Sequence, residues 1–449
     1  MSGTTTSGTS GGGSSGDNLS GTGRSKRSTV GMGAAIAIAV VLLIVGVAAG
    51  YFVGAYYNKG TTSTSTGGSC TTQQITESGS SLLFPLMQIW GPNYTKVNSC
   101  VVLSPDSTGS GAGQSGAETG TVNIGASDAY LSNASATNVL NVPAAISAQL
   151  VYYNLPGVTG HLNLNGTVLG MIYAGVITTW ADPLILAAQS SAVRSQLMAL
   201  TGTEAGITTI IRADSSGDTF LFTSLCYMSY SAWPFGTPKT SGLSGDKIPG
   251  VISETGNSGM VTGVTGQVGG IAYIGISYEG QVAAKGVAGV NYAAVGDNLS
   301  LSASGGINPL NYILPTPTNI SYDANLGLTH LQYATYGLSV GLILGGSPAG
   351  AIALNLGAGG TNPTATSPTP YPIVNLEYTL IKQAPTGTIV TSAALAATVD
   401  FLQWAITDGN YALGQAAGTP SAYIEAVNFL PLTPEVLGYD QQVLASVAT

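Results

Sequence analysis

Short apolar stretches rich in β-branched residues alternate with helix-like stretches from Gln74 onward. This alternation is typical of an α/β fold, in which strands of a largely parallel sheet are followed by helices. Two long loops are expected, over residues 231–250 and 357–372, because Gly, Ser, Thr and Pro accumulate there. Strands are predicted from Ile75 and at 101–103, 122–125, 150–154 and 373–381, and helices at 85–94 and 393–407.

The chain before Gln74 has a different pattern. Residues 1–29 are mainly Gly, Ser and Thr and form a predicted disordered tail, and residues 58–73 form a predicted flexible tether. Between them, the run from Val30 to Tyr57 is apolar and contains no charge. Because it exceeds the roughly 20 residues that span a bilayer, we predict a transmembrane anchor. A cleaved signal peptide is the alternative.

Three basic residues precede this apolar run, at Arg24, Lys26 and Arg27. Since basic flanks stay in the cytoplasm, the predicted orientation is single-pass, with everything after Tyr57 outside the cell. Five Asn-x-Ser/Thr sequons in that part are compatible with a glycoprotein, although a chain rich in Ser and Thr contains many by chance. They begin at Asn93, Asn133, Asn165, Asn298 and Asn319.

Composition excludes several classes of function. The 449 residues carry a formal net charge of −9, and only 7% of them are charged. No basic stripe is present to neutralise nucleic-acid phosphates, so nucleic acid is not an expected partner. His161 and His330 are far apart in sequence and have no Cys or carboxylate company, so no zinc site is recognisable and no cofactor is expected.

The three cysteines divide into a candidate pair and a single residue. Cys70 and Cys100 flank the first predicted strand and helix, so in an oxidising compartment they could form a disulfide; two separate thiols are the alternative. Cys226 lies in an apolar stretch and is expected to be a buried free thiol.

The segment of residues 211–220, IRADSSGDTF, carries the clearest candidate chemistry. Arg212 ends a β-branched run, and Ser215, Ser216 and Gly217 lead into a helix-like stretch. A strand that passes into a helix through Ser and Gly presents free backbone N–H groups, hydroxyls and a positive helix end at one point. With the arginine, these groups predict an oxyanion cradle. An ordinary serine-capped helix beside an arginine is the alternative.

Three further segments have the same character. Residues 77–85, 107–113 and 122–132 each place Ser, Gly or Asp directly after a predicted strand. Turns at the carboxyl ends of parallel strands converge on one crevice, which is where open α/β sheets bind ligands. Taken singly, each turn is also compatible with an ordinary loop or helix cap.

In order and spacing, these four segments resemble the phosphate-binding protein of bacterial and archaeal phosphate ABC transporters. The resemblance extends to residues 166–180, 269–273 and 371–373 and covers about residues 74–440. It implies a two-lobed periplasmic-binding-protein-like fold of type II, here an archaeal-type, membrane-tethered version. The implied lobe I comprises residues 74–153 and 375–449, and lobe II comprises residues 154–374. Two hinge crossovers are implied, near residues 153–155 and 373–376.

The resemblance also implies a ligand shell around one phosphate. A carboxylate in that shell, Asp128, would accept a hydrogen bond only from a protonated ligand, so phosphate would be held and sulfate repelled. Asp214 would lie behind Arg212 and orient it. The implied phosphate-binding residues are Ser81, Leu82, Ser110, Asp128, Arg212, Ser216, Gly217 and Asp218.

Asp218 departs from the family pattern, which has Thr at this position. If its carboxylate points into the site, it repels a dianion and weakens phosphate binding. Three alternatives stay open: the carboxylate turns outward and caps the helix, it is protonated in an acidic medium, or it accepts from dihydrogen phosphate. The change to Leu82 from Phe concerns only a backbone N–H and is expected to be harmless.

The function that follows is an extracytoplasmic, membrane-tethered solute-binding protein that captures phosphate and delivers it to an ABC permease. The alternative is a surface structural glycoprotein that keeps the fold with weak or altered oxyanion binding. An enzyme is not expected, because no metal cluster, catalytic histidine or nucleophile–base pair is recognisable. Another tetrahedral oxyanion is also compatible with the site.

Overall fold

The computed structural model describes residues 70–131, 138–236, 240–241, 243, 248, 250–296, 312–321, 371–412 and 419–448. The predicted tail, the predicted anchor from Val30 to Tyr57, nearly all of the tether and most of the predicted loop 357–372 lie outside these residues. Within the described part of the chain, no helix combines the length and apolar character that a membrane span requires.

The strands range from two residues to sixteen. They are β1 (Gln73–Gly79), β2 (Val101–Ser107), β3 (Ile124–Ser127), β4 (Val139–Asn154), β5 (Asn163–Asn165), β6 (Thr208–Arg212), β7 (Ile252–Glu254), β8 (Gly270–Gly275), β9 (Val290–Tyr292), β10 (Ala294–Gly296), β11 (Tyr312–Ile313) and β12 (Val374–Lys382).

The helices lie between and after these strands. They are α1 (Phe84–Val97), α2 (Ser110–Thr119), α3 (Gly166–Tyr173), α4 (Pro183–Ala187), α5 (Ser191–Met198), α6 (Gly217–Ser229), α7 (Gly256–Gly266), α8 (Glu279–Ala284), α9 (Ser392–Ile406), α10 (Ala422–Glu425) and α11 (Pro434–Ala445).

One large mixed sheet organises the described residues, with strand order β2-β1-β3-β12-β4-β8-β6-β7 and β9 paired to β4. The strands β1, β2 and β3 are mutually parallel, as are β6, β7 and β8. The strand β12 is antiparallel to both β3 and β4, and β8 is antiparallel to β4. The alternating strands and helices therefore form two parallel groups, joined through antiparallel strands.

The strand β4 connects the two groups. Residues 139–148 pair with β12, whereas residues 149–153 pair with β8. All sixteen residues of β4 are buried, as expected for a strand covered on both faces. The sequence predicted only its last five residues, because Pro143 interrupts the pattern. The sheet accommodates this proline opposite Tyr378, beside a register shift between Glu377 and Tyr378.

Aromatic contacts fix helices to the sheet and to one another. The ring of Phe222 on α6 stacks on Tyr273 of β8, with centroids 4.7 Å apart, and Tyr173 of α3 packs against Phe222 at 4.5 Å. On α1, Tyr94 lies 5.3 Å from Phe401 of α9. The Tyr273 hydroxyl accepts from the Arg212 backbone N–H at 3.1 Å and lies 2.8 Å from the Thr219 hydroxyl, so this group of rings connects the end of β6 to the first turn of α6.

The structure contains both the predicted disulfide and the predicted free thiol. A disulfide joins Cys70 and Cys100, whose Cα atoms are 5.9 Å apart, and Cys226 is a buried free thiol. One sequon is not usable in the folded protein. Asn165 is only 4% exposed and its side chain caps α3 by accepting from the Val168 N–H at 2.9 Å. Asn133 and Asn298 lie outside the described residues.

Candidate functional site

The candidate site lies at the carboxyl ends of four strands of the main sheet. β1 ends at Gly79, β2 ends at Ser107, β3 ends at Ser127 and β6 ends at Arg212. Gly109, just after β2, has φ +92°, and a Cβ there would lie 2.6 Å from the Asp214 Oδ2 atom. Only glycine fits at this position, because the turn after β2 closes directly onto the turn after β6.

Asp128, directly after β3, is 1% exposed. Its Oδ1 atom accepts a hydrogen bond from the Ser80 hydroxyl, and its Oδ2 atom accepts one from the Ser110 hydroxyl at 3.2 Å. The Ser110 hydroxyl also accepts from the Asp128 backbone N–H at 3.2 Å. The turns after β1, β2 and β3 therefore meet at this one carboxylate.

Arg212 is held by two carboxylates. Its Nε and Nη2 atoms donate to the two oxygens of Asp214 at 2.7 and 2.5 Å, and its Nη1 atom donates to Asp218 Oδ2 at 2.8 Å. Burial alone would lower the pKa of Arg212, but Asp214 and Asp218 outweigh it and the pKa is raised. Burial would raise the pKa of Asp214, but Arg212 outweighs it and the pKa is lowered. The Arg212–Asp214 pair is therefore firmly ionised, with Asp214 in the orienting position that the resemblance implies.

Asp218 lies inside the site and is completely buried. Besides Arg212, its carboxylate accepts from Asn257 Nδ2 at 2.7 Å and from Gln149 Nε2 at 3.1 Å. The alternative in which Asp218 turns outward as a helix cap is therefore wrong, and the reason is that Ser216 caps α6 instead. Burial, reinforced by the charge of Asp128, raises the pKa of Asp218 to about 7.

Ser81 and Leu82 lie at the turn after β1, both buried. The Ser81 hydroxyl oxygen accepts from the backbone N–H and from the Nδ2 atom of Asn257, at 3.1 and 3.0 Å. The Leu82 backbone N–H donates to the Ser80 hydroxyl at 3.1 Å. Ser80, rather than Ser81, thus provides the hydroxyl that contacts Asp128.

Gly217 is the first residue of α6 and lies against Asp128. A Cβ at Gly217 would be 2.6 Å from Asp128 Oδ2 and 2.7 Å from the Ser110 hydroxyl. The Ser216–Gly217 turn therefore faces the Asp128–Ser110 turn across the site. The structure brings all eight implied ligand residues into one contiguous buried cluster, with the partly exposed Asp214 behind Arg212.

Three helices begin at this cluster. The helix α2 starts at Ser110, α6 at Gly217 and α7 at Gly256. The Gly256 N–H donates to Asp214 Oδ1 at 3.1 Å. Their N-terminal ends add partial positive charge and free N–H groups, which suit an anion. The arrangement can therefore bind an oxyanion by hydroxyls, main-chain amides and one guanidinium.

Sequence reasoning missed several polar side chains of the cluster. Asn257 lies in the first turn of α7, in the Thr-Gly-Asn-Ser segment that follows the short strand β7, so the rule that found the other turns applies to it as well. Gln149 and Glu377 lie within strands, where nothing in the local pattern distinguishes them from core residues. Glu377 is fully buried, and its Oε1 atom accepts from the Ser147 hydroxyl at 2.5 Å. Burial, with the charge of Asp128, holds the pKa of Glu377 well above its usual range.

Among the residues that the structure describes, no group of three or more His, Cys, Asp or Glu side chains is arranged to hold a metal ion. His161 packs on Tyr292 and its Nδ1 atom lies 2.7 Å from the Tyr292 carbonyl oxygen. His330 lies outside the described residues.

The comparisons with known proteins agree with this fold. The family model of the PBP superfamily domain matches residues 64–409, and the chain therefore belongs to this superfamily. Among solved structures, a high-affinity periplasmic phosphate-binding protein (PfluDING) bound with phosphate superposes with a TM-score of 0.55 at 19% identity, over 84% of this chain and 94% of that one. A human phosphate binding apolipoprotein gives a TM-score of 0.52 at 17% identity, with the same coverage.

Curated relatives are more similar in sequence than these solved structures are, at 25–27% identity. The phosphate-binding protein PstS of Xylella fastidiosa is 27% identical over 208 residues, which are 46% of this chain and 54% of that protein. The chain thus spans about half the length of this relative. The phosphate-binding protein PstS of Methanocaldococcus jannaschii is 25% identical over 338 residues, covering 73% of this chain and 77% of that protein.

Proposed function

We propose that this chain is a solute-binding protein that captures inorganic phosphate and delivers it to an ABC permease. The observation that carries the proposal is the buried cluster at the ends of β1, β2, β3 and β6, with Arg212 as its cation. Several relatives and structural neighbours are named phosphate-binding proteins, which supports this ligand.

Selection of phosphate follows from the donors and acceptors of the cluster. The Ser81, Ser110 and Ser216 hydroxyls, the Leu82 and Gly217 N–H groups and Arg212 would donate to the phosphate oxygens. Asp128 would accept from a P–OH group. Sulfate carries no proton near neutral pH, so it would face the Asp128 carboxylate without a hydrogen bond and be rejected.

Capture would occur by closure of two lobes, residues 74–153 with 375–449 and residues 154–374. The change of partners along β4, from β12 to β8 after residue 148, supports a hinge in this strand. This change of partners lies a few residues before residue 153, where the sequence places the boundary between the lobes. The second crossover would lead into β12 near residues 373–376.

The proposed location is the outer face of the cell membrane, with a single anchor from Val30 to Tyr57. The Cys70–Cys100 disulfide supports an oxidising compartment. A relative in Methanocaldococcus jannaschii that covers 73% of this chain supports the archaeal type. Glycosylation would concern the sequons other than Asn165.

A second candidate function, a surface structural glycoprotein with weak oxyanion binding, is favoured by one observation. The Asp218 carboxylate already holds the Arg212 Nη1 atom that would otherwise be directed at a ligand oxygen. An enzymatic role is not proposed, because the hydroxyls of the cluster bond to carboxylates, amides and backbone N–H groups rather than to a histidine base.

Calorimetric titration of the full chain with phosphate and with sulfate, at pH 4 and pH 7, tests the proposal. We expect micromolar or tighter phosphate binding at one pH at least, no sulfate binding, and loss of phosphate binding in Arg212→Ala. The control is Arg194→Ala, which removes an exposed arginine that donates to Leu186 and Gln189 carbonyls and should bind normally. Absence of heat with either ion at both pH values would favour the structural role instead.

A further inference from the structure

Asp218 places a second acidic acceptor in the site besides Asp128. Its Oδ2 atom contacts Arg212 Nη1 and Asn257 Nδ2, and Asn257 in turn donates to the Ser81 hydroxyl. Asp218 therefore shares its hydrogen-bond donors with the residues proposed to hold phosphate. A ligand bound to Arg212 and Ser81 necessarily lies beside this carboxylate.

The charges that surround Asp218 come from every element packed against it. Arg212 lies at the end of β6, Asp214 in the turn after it, Asp128 after β3 and Glu377 on β12. The phenols of Tyr273 and Tyr278 are also close enough for the charges of Arg212 and Asp218 to affect their pKa values. The carboxyl groups of Asp128, Asp214 and Asp218 therefore surround a single guanidinium, that of Arg212. A divalent phosphate would add two negative charges beside these buried acidic side chains, which is strongly unfavourable.

Hydrogen-bond matching leads to the same conclusion. A carboxylate is only an acceptor, so a phosphate that contacts both Asp128 and Asp218 must supply two O–H groups, or one carboxylate must carry a proton itself. Monohydrogen phosphate has one such group. With Thr at position 218, as in the family pattern, a hydroxyl donates there and one ligand proton suffices.

We infer that Asp218 determines the protonation state of the ligand, so that the site binds phosphate together with one proton more than a site with Thr at this position. This inference rests on the proposed function. The extra proton comes from solvent and lies between an Asp218 oxygen and a phosphate oxygen, and the bound unit is equivalent to singly charged dihydrogen phosphate. The pKa of Asp218, which burial and Asp128 already raise to about 7, supports this, because a bound anion raises it further.

Phosphate titrations near pH 8, in buffers that differ in ionisation enthalpy, measure the protons taken up per phosphate. We expect the full chain to take up about one proton more than Asp218→Asn, which keeps the side-chain shape, and Asp218→Thr, which restores the family residue. Between pH 7 and 8, the affinity of the natural chain should fall about fivefold more than that of either variant, because a group with a pKa of about 7 is roughly half protonated at pH 7 and a tenth protonated at pH 8. Glu425→Gln, an exposed carboxylate-to-amide change outside the site, should behave like the natural chain.

Equal proton uptake and equal pH slopes in the natural chain and both Asp218 variants would overturn the inference and leave the proposed function intact. Binding by the variants, with none by the natural chain between pH 4 and 8, would also overturn it, because Asp218 would then exclude phosphate. If no form binds phosphate at any of these pH values, the proposed function itself fails and the inference fails with it.

Discussion

The contact between Gly217 and the Asp128 turn allows a stringent test of the site. In Gly217→Ala, the added Cβ would lie 2.5 Å from Asp128 Cβ, 2.6 Å from Asp128 Oδ2 and 2.7 Å from the Ser110 hydroxyl. All three distances are below 3.0 Å, a separation that real Cβ atoms essentially never show. Asp128 and Ser110 are each 1% exposed, so neither side chain can move into solvent.

The magnitude follows from the cost of overpacking a filled interior, about 1–3 kcal/mol. Gly217 follows β6, whereas Ser110 and Asp128 follow β2 and β3, so separation of the two strand groups would relieve the clash. The strain would then oppose the closed, phosphate-bound form, and 1–3 kcal/mol corresponds to a roughly 5- to 150-fold weaker affinity. Without phosphate, the free energy of unfolding should change by less than the free energy of phosphate binding does.

Titration calorimetry and thermal unfolding of the full chain measure both effects. The matched control is Gly280→Ala on the exposed face of α8, where a Cβ would meet no atom within 4 Å. This control should bind phosphate normally and gain about 0.5–1 kcal/mol of stability from alanine's helix preference. If Gly217→Ala binds phosphate as tightly as the natural chain, the α6 start does not face Asp128 in the bound protein, and the proposed site is wrong.

Two further predictions concern the stability of the fold. Cys70→Ser should lower the free energy of unfolding by about 3–4 kcal/mol, because the disulfide closes a loop of 30 residues; an unchanged melting temperature with and without reductant would contradict this. Glu77, Glu377 and Asp440 are buried, and burial raises the pKa of each, so the folded protein retains protons that the unfolded chain releases above about pH 4. The stabilisation from these three groups is complete below pH 4 and is lost as the pH rises. Asp214, whose pKa is lowered, has the opposite effect, because its stabilisation is lost in stronger acid. The melting temperature should therefore peak near pH 4–5 and decline toward pH 8, and a steady increase toward pH 8 would refute the reasoning.

The parts of the site that could be predicted from sequence are those that follow a strand directly. Arg212, Asp214 and Ser216 lie within five residues, so one local turn accounts for the contact of Arg212 with Asp214 and for the helix cap at Ser216. Ser110 and Asp128 follow neighbouring strands, and the convergence of strand ends brings them together. These positions needed only the alternation of strands, glycine turns and helices.

The parts that could not be predicted depend on pairing over long sequence distances. Gln149 on β4 donates to Asp218, and Glu377 on β12 accepts from Ser147 of β4. These contacts depend on the register in which β4 and β12 pair, and the local sequence pattern does not show that register. The direction of Asp218 was open as well, since a carboxylate in the first turn of a helix can face either way. Its inward direction results from Arg212, Asn257 and Gln149, of which only Arg212 is close in sequence.

The position of β12 has a consequence for how the chain acquires its structure. This strand, residues 374–382, inserts between β3 and β4, which end more than two hundred residues earlier. During synthesis from the N-terminus, β3 and β4 have no neighbour on those edges until the ribosome has made residue 382. Folding of the first strand group is therefore slow and of high contact order, and the open edges invite pairing with other chains. A chain exported before folding avoids this hazard inside the cell and meets it outside.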